Sequence, residues 1–216
     1  MKKVALITCF LDNYGACLQA LALQNQIKKL GCECNIIAYI ENPGYFHDDF
    51  FTILKMKIKN IAYMIWNFLH GDGMTGPYTR RLSFHKFRKS FLRFETVKNT
   101  KKIKFYNSID ELYDISERYD VFVCGSDQIW NPAFYGKNHP VHFLRFADDK
   151  KRIAYAPSIG LPEIPQEYRE TFVEYINDFN SLSVREKTGS KIIKDLCSRE
   201  AKVVLDPTIL AGSEFW

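Results

Sequence analysis

The stretch that decides the fold is residues 119–132, YDVFVCGSDQIWNP. Its apolar run VFVC is typical of a buried strand. The run breaks at Gly125, and Ser126, Asp127 and Gln128 follow at once. Open α/β sheets bind their ligands at the carboxyl ends of the strands. The stretch therefore predicts a strand that ends in a ligand site.

The same layout, an apolar strand followed by a short polar or glycine-containing cluster, occurs five times. The clusters are residues 12–15 (DNYG), 125–128 (GSDQ), 157–160 (PSIG), 185–186 (RE) and 206–208 (DPT). Patterns of helical period separate most of the strands, and this alternation predicts a parallel sheet with helices on both faces. The expected fold is α/β, a doubly wound, mostly parallel Rossmann-like sheet with all five clusters along one edge.

The chain opens with a strand–helix–strand unit, predicted at residues 4–10, 16–30 and 34–40. The loop before the helix contains only Gly15, so the glycine fingerprint of a dinucleotide site is absent. Asn13 in this loop has two interpretations, a helix cap or a ligand contact.

A basic helical insertion is predicted at about residues 51–100. Between positions 51 and 105 there are thirteen Lys and Arg but only two acidic residues. The first predicted helix, 53–69, has an apolar stripe formed by Leu54, Ile58, Ile61, Ile65 and Phe68, and a second helix, 78–94, has phenylalanines at helical spacing. Because such stripes usually face a core, the favoured interpretation is an insertion packed on the domain with a solvated basic face. The alternative is peripheral membrane contact through residues 53–104.

Composition narrows the class of protein. The chain has 216 residues, 46% of them apolar, and a net charge of +5, which indicates a domain with a sizeable core. Six cysteines without a CxxC pair, no signal-like start and no long apolar run favour a reduced, cytoplasmic protein. His139 and His142 lack a third ligand nearby, so no metal site is predicted. No nucleic-acid-binding motif is present, so no nucleic-acid partner is expected.

Four elements of the chain together resemble the polysaccharide pyruvyl transferase family. They are residues 13–20 (NYGACLQA), 125–131 (GSDQIWN), 183–186 (SVRE) and 204–208 (VLDPT), which resemble the family's N-x-G-A-x-L-Q-A, GSDQ-x-W-N, SvRE and vlDPT elements in the same order. The resemblance therefore covers nearly the whole chain.

This resemblance implies an enzyme that transfers a pyruvyl group from phosphoenolpyruvate to a sugar of a cell-surface polysaccharide, or of its lipid-linked precursor, as a ketal. Phosphoenolpyruvate is then the donor substrate and no cofactor is expected. The implied fold is similar to that of GT-B glycosyltransferases, with residues 1–212 as the N-terminal domain and the C-terminal, donor-binding domain absent from this chain. A lipid-linked acceptor implies a position at the inner face of the membrane.

Asp127 is the candidate catalytic residue, as base or as anchor for the acceptor hydroxyl, although it could instead cap a turn. The candidate substrate-binding residues are Asn13, Tyr14, Gly15, Gln19, Gly125, Ser126, Gln128, Trp130, Asn131, Ser158, Arg185 and Glu186. Trp130 is expected either to stack on a sugar ring or to be a buried anchor. Arg185 is expected either to help bind phosphate or to form a surface ion pair with Glu186, and residues 206–207 are expected to shape an interdomain hinge.

Two further functions stay open at this point. One is a non-catalytic sugar- or nucleotide-binding module, including an inactive half-enzyme. The other is a GT-B-like glycosyltransferase.

Overall fold

A six-stranded parallel sheet forms the centre of the fold. The computed structural model describes residues 1–41, 50–70 and 76–216. The strands are β1 (Lys3–Ile7), β2 (Glu33–Ile36), β3 (Ala38–Tyr39), β4 (Phe105–Tyr106), β5 (Val121–Cys124), β6 (Arg152–Ala154), β7 (Ser181–Val184) and β8 (Lys202–Val203). The main sheet has the order β2-β1-β5-β6-β7-β8, and every neighbouring pair in it is parallel.

Helices cover both faces of this sheet. They are α1 (Tyr14–Lys29), α2 (Phe50–Leu69), α3 (Thr79–Phe91), α4 (Asp110–Tyr113), α5 (Pro132–Tyr135), α6 (Arg169–Asn177), α7 (Lys187–Cys197) and α8 (Pro207–Leu210). Successive residues of a strand point to opposite faces, and accordingly Phe122 and Val123 of β5 belong to two different buried clusters. The cluster of Val123 includes Leu23 of α1, whereas that of Phe122 includes Phe172 of α6. The prediction of a doubly wound parallel sheet is confirmed.

The strand order reverses direction between β1 and β5. The chain leaves β1 to form β2 on one side, and later returns to place β5 on the other side of β1. Loops at the carboxyl ends of two such strands diverge and leave a crevice between them. The loop after β1 and the stretch 125–128 after β5 border this crevice.

The predicted strand at residues 34–40 is divided in two. β2 ends at Ile36, and Ala38–Tyr39 form β3, which pairs with β4 in a separate two-stranded sheet. The continuous apolar run concealed this break, because periodicity does not show to which neighbour each half of a strand will pair.

The basic insertion consists of α2 and α3, but the apolar stripe of α2 faces away from the domain. The five stripe residues are exposed, and the buried face of this helix consists instead of Ile53, Met56, Asn60 and Asn67. The expectation that the stripe packs on the domain is therefore wrong. Within the predicted insertion, residues 71–75 lie outside the described residues. In the described part of the chain, none of the helices combines the length and hydropathy needed to cross a bilayer.

Candidate functional site

The crevice between β1 and β5 contains a pocket of about 620 Å³, which we call the switch-point pocket. This volume lies within the range of about 300–1,000 Å³ that is usual for small-molecule sites. Its lining comes from the loop after β1, from the end of β3 and from the segments after β5. The side chains used below are Cys9, Asn13, Tyr39, Glu41, Asp127, Gln128, Tyr135, His139 and His142.

The side-chain amides of Asn13 and Gln19 hold the loop after β1 in place. Asn13 caps α1, since its Oδ1 accepts a hydrogen bond from the Ala16 amide at 3.2 Å, and it also lines the pocket. The Gln19 amide nitrogen donates to Thr8 Oγ1 at 2.8 Å and to the Cys9 carbonyl at 2.9 Å. Gln19 is buried. It therefore supports the loop from within the core, which corrects the expectation that it binds substrate.

Tyr14 and Gly15 lie at the start of α1 but outside the lining of the pocket. The ring of Tyr14 packs against Phe84 of α3, with ring centroids 4.8 Å apart, and Arg80 lies 5.8 Å above the same ring. Tyr14 thus joins α1 to the insertion. The structure does not place these two residues with the other candidates.

The stretch after β5 turns sharply under backbone constraints. Gly125 has φ +114°, and a Cβ at this position would collide with the carbonyl oxygen of Tyr155, so only glycine fits here. The peptide bond from Gly125 to Ser126 is cis. Ser126 is fully buried and its hydroxyl donates to Asp206 Oδ2 at 3.0 Å. Ser126 therefore anchors the turn rather than facing the pocket, which corrects its assignment as a substrate contact.

Asp127 and Gln128 are the residues of this stretch that reach the pocket. Asp127 has φ +66°, a left-handed conformation that is uncommon for residues other than glycine. Its Oδ1 accepts a hydrogen bond from the Gln128 amide at 2.8 Å, so it does cap a turn. Within the described part of the chain Oδ2 has no hydrogen-bond partner. Asp127 therefore both caps a turn and presents a carboxylate oxygen to the pocket. Its catalytic role stays a prediction.

Trp130 and Asn131 are buried behind the pocket. Trp130 is 1% exposed, its indole stacks on Phe143 with ring centroids 5.1 Å apart, and its Nε1 donates to the His142 carbonyl. Stacking of Trp130 on a sugar is therefore excluded by its burial. Asn131 accepts from the Ala133 amide as the cap of α5 and donates to Gln128 Oε1 at 3.0 Å, so it positions Gln128 rather than contacting ligand.

A cluster of aromatic, imidazole and thiol groups forms the opposite wall, and the sequence reasoning missed most of it. Tyr39 Oη lies 3.3 Å from His139 Nε2, which is also 3.3 Å from Glu41 Oε2. Cys9 Sγ lies 3.8 Å from Tyr135 Oη. One signal in the sequence could have revealed this wall. Cys9 and Tyr39 lie close to the carboxyl ends of predicted strands, next to the positions where the recognised clusters occur.

Burial keeps this wall uncharged near neutral pH. It raises the pKa of Cys9 to about 12, with the Asp127 charge adding to the effect, and that of Tyr39 to about 12, with Glu41 adding. It lowers the pKa of His142 to about 3, with His139 adding to the effect, and also lowers the pKa of His139.

The remaining charges in the lining are carboxylates. The pKa of Glu41 is lowered chiefly by a hydrogen bond from Lys137, at 2.6 Å, so Glu41 is ionised. A wall of neutral hydroxyl, thiol and imidazole groups with two carboxylates offers hydrogen bonds to a neutral polyhydroxyl ligand. It repels an anion.

A second pocket, of about 380 Å³, lies on the other side of Gln128, between the ends of β6 and β7. Gln128, Ser158, Arg185 and Glu186 contribute to its lining. Ser158 is buried, and its amide donates to the Asp127 carbonyl at 2.8 Å. Gln128 thus forms the partition between the two pockets.

Arg185 is bound by two carboxylates at this second pocket. Its Nε donates to Glu186 at 2.8 Å and its NH1 to Asp206 Oδ2 at 3.2 Å. Burial lowers the pKa of Arg185, but these hydrogen bonds outweigh that effect and the net shift is upward. Burial likewise works against ionisation of Asp206, but hydrogen bonds from Thr208, Ser126 and Arg185 leave its pKa lowered. The expected Arg185–Glu186 pair is present, and Asp206, expected only to shape a hinge, binds the ends of β5 and β7 together.

The described residues contain no group of three His, Cys, Asp or Glu side chains that could hold a metal ion. His139 and His142 lie close, with ring centroids 4.7 Å apart. They belong to the wall of the switch-point pocket.

A comparison with protein-family models matches residues 13–216 to the polysaccharide pyruvyl transferase family. Searches of curated proteins and of solved structures each gave no significant match. The matched region begins at the capping Asn13, covers nearly the whole chain and includes the second pocket and the lining of the switch-point pocket from Asn13 onward. The chain therefore belongs to the polysaccharide pyruvyl transferase family, a family of transferases.

Proposed function

We propose that this chain forms the acceptor-binding side of an enzyme that transfers a pyruvyl group from phosphoenolpyruvate to a sugar of a cell-surface polysaccharide or its lipid-linked precursor, as a pyruvate ketal. The observation that carries the proposal is the position of Asp127 at the carboxyl end of β5, with one carboxylate oxygen left for a ligand in the switch-point pocket. No cofactor is part of the proposal.

The electrostatics of the switch-point pocket support a sugar there rather than the donor. Phosphoenolpyruvate carries a phosphate and a carboxylate, and the Asp127 carboxylate would repel it, whereas the charge of Glu41 is balanced by its ion pair with Lys137. The uncharged side chains of Tyr39, His139 and Tyr135 can exchange hydrogen bonds with hydroxyl groups. Apolar ring faces in the same wall suit the carbon skeleton of a pyranose.

The proposed reaction begins with protonation of the methylene carbon of phosphoenolpyruvate, which turns C2 into an oxocarbenium-like centre. A sugar hydroxyl adds to C2 and loses its proton. Phosphate then leaves with the electrons of its bond to C2, which forms a second oxocarbenium-like centre, and a second hydroxyl of the same sugar adds to it and loses its proton. One of the two released protons replaces the proton taken up by the methylene carbon, and the other leaves with phosphate. The products are the cyclic ketal and inorganic phosphate. Asp127 takes the proton of the first hydroxyl as it attacks.

Binding of the donor is assigned to the side of the second pocket and to a further domain in a GT-B-like arrangement, as the family resemblance implies. Arg185 is the cation of this side. Because Glu186 and Asp206 already hold its guanidinium, the proposed contribution of Arg185 is to shape the pocket floor, with a phosphate contact only where one of these pairs opens.

The same engagement of Arg185 favours a second candidate, a sugar-binding module without transferase activity. The two are distinguished by the donor. A transferase releases phosphate from phosphoenolpyruvate only in the presence of an acceptor, whereas a binding module takes up sugar and leaves phosphoenolpyruvate intact.

The test is incubation of the full-length protein with phosphoenolpyruvate and a panel of free and lipid-linked sugars, followed by mass spectrometry of the sugars. We expect a pyruvyl adduct together with an equal amount of released phosphate. Sugar binding by calorimetry without any adduct across the panel would reject transfer and support the binding module. If no pyruvyl adduct and no sugar binding were detected, both candidate functions would be rejected.

A further inference from the structure

The outer face of α2 is a continuous apolar surface with no partner among the described residues. Ile58 is 59% exposed and Ile65 is 55% exposed, values typical of polar surface side chains. The same face carries further exposed apolar side chains, namely Leu54, Ile61, Trp66, Phe68 and Leu69. Apolar patches of this extent on a soluble protein mark an interaction surface.

The opposite face of α2 is firmly attached, so the orientation of the helix is defined. Asn60 is buried there, and its amide nitrogen lies 3.2 Å from Thr79 Oγ1. Its Oδ1 accepts from the Tyr78 amide at 3.1 Å. A Cβ on Gly76 would collide with Asn60, so the chain approaches α2 closely at this point. These polar contacts hold the apolar residues outward.

The charges around this face have one sign. Positions 50–70 contain three Lys and no Arg, Asp or Glu. Lys55, Lys57 and Lys59 are exposed on α2, and none of them has an ion pair within the described residues. By helical period, Lys55 and Lys59 lie on one border of the apolar face and Lys57 on the other.

This combination fits a lipid surface better than a protein surface. Protein interfaces are depleted of lysine, whereas lysine stems lie along apolar surface and extend their ammonium groups to the headgroups of a bilayer. Trp66 and Tyr63 follow the same border as Lys59, and such amphipathic rings are enriched at the membrane–water boundary.

We infer that α2 is an interfacial helix that docks this protein on an anionic lipid bilayer. The apolar face enters the boundary between headgroups and acyl chains, and the lysines on its borders bind the anionic headgroups. The helix lies in the plane of the membrane. The inference does not depend on the proposed pyruvyl transfer.

The test is flotation of the full-length protein with vesicles of phosphatidylcholine alone or of phosphatidylcholine mixed with phosphatidylglycerol. We expect binding to the anionic vesicles at about 0.05 M salt and much weaker binding at about 0.5 M salt, since surface charges are then screened. Brominated lipids should quench part of the tryptophan emission of the parent protein. The Trp66→Phe variant should lose this quenched part, since Trp66 lies in the bilayer boundary.

Two double variants separate the contributions of the apolar face and of the charges. Ile58→Ser with Ile65→Ser should lower vesicle partitioning at least about tenfold. Lys55→Glu with Lys59→Glu should abolish the preference for anionic vesicles. Because all four positions are exposed, both double variants should keep the circular dichroism spectrum of the parent protein.

Matched controls lie elsewhere on the surface. Leu30→Ser with Ile209→Ser removes two exposed apolar side chains outside α2, and Lys191→Glu with Lys202→Glu reverses two exposed charges outside the insertion. Both control variants should bind vesicles like the parent protein.

Absence of binding to anionic vesicles at low salt overturns the inference. Binding by the α2 variants equal to that of the parent protein also overturns it. A dimer in solution that Ile58→Ser with Ile65→Ser dissociates, without vesicle binding, would assign the face to a second copy of the chain.

Discussion

The hydroxyl of Ser126 donates a hydrogen bond to the carboxylate of Asp206, with Oγ and Oδ2 3.0 Å apart across 80 positions of sequence. This contact joins the end of β5 to the end of β8, two strands that are not neighbours in the sheet. Arg185, after β7, binds the same oxygen. One carboxylate thus holds three strand ends of the candidate site in register.

Replacement of this carboxylate should destabilise the domain. In Asp206→Ala the buried Ser126 hydroxyl loses its acceptor and α8 loses its cap, which accepts from the Thr208 amide at 2.9 Å. Losses of this kind cost about 1 kcal/mol for the cap and about 1–3 kcal/mol for the buried hydroxyl. We expect the free energy of unfolding to fall by about 2–4 kcal/mol in urea titrations. Asp195→Ala, at an exposed position on α7, is the control, and an equal loss in both would contradict this role of Asp206.

Asp127→Asn should reduce catalysis without unfolding the protein. Asparagine tolerates the left-handed conformation at φ +66°, so we expect little change in stability. Loss of a general base lowers the rate by about 10²–10⁴-fold, which kcat/KM for pyruvyl transfer by the full-length protein would report. Asp195→Asn should transfer at the parent rate. An unchanged kcat/KM in Asp127→Asn would remove this carboxylate from the mechanism.

Gly160→Ala tests the position of Gln128 between the two pockets. Gly160 has φ +66°, and an added Cβ would lie 2.5 Å from Gln128 Oε1 and 2.9 Å from Asn131 Nδ2. Gly136→Ala is the matched control, because its φ is +62° and a Cβ there has no atom within 4 Å. Both variants carry the backbone cost of about 1 kcal/mol.

Only Gly160→Ala should also raise the KM for the acceptor, because it displaces the Gln128 side chain. Steady-state kinetics of the two variants measures the difference. The same KM in both would show that the Gln128–Asn131 pair is not needed for acceptor binding.

Acidification should destabilise the fold through the two pocket histidines. Burial lowers the pKa of His142 to about 3 from 6.5 and also lowers that of His139. The unfolded chain therefore binds more protons below about pH 6.5, so stability is complete above that pH and is lost as pH falls towards the folded pKa. The limiting slope is about 1.4 kcal/mol per pH unit for each histidine, and the partial exposure of His142 reduces it.

Urea titrations between pH 7 and pH 5 measure this slope. We expect His142→Gln to flatten it, because glutamine does not bind a proton in either state. His70→Gln, at an exposed position just after the end of α2, should keep the slope of the parent protein. A slope that His142→Gln leaves intact would assign the acid sensitivity to other groups.

Much of the candidate site was accessible from the sequence because polar residues that directly follow apolar runs must meet at one edge of a parallel sheet. This argument correctly grouped Asn13, Asp127, Gln128, Ser158 and Arg185. It was wrong for Ser126, whose buried side chain faces away from the pocket, because a position after a strand does not show whether a side chain faces the ligand or the core. For Trp130 the buried alternative holds, and Gln19, a candidate from the family resemblance, is also buried. It also missed His139 and Tyr135, which reach the pocket from a loop-rich segment without periodicity.

The sequence by itself determined the alternation of strands and helices, the sheet edge at which the candidate site lies and the family, because each of these depends on residue type and local order. Only the tertiary structure decided which face of each element is buried. The apolar stripe of α2 could be read from its helical period, but its outward direction depends on Asn60 and its contacts with the chain at Tyr78 and Thr79. Which face of a helix is buried depends on the surface that packs against it, and the rest of the fold determines where that surface lies.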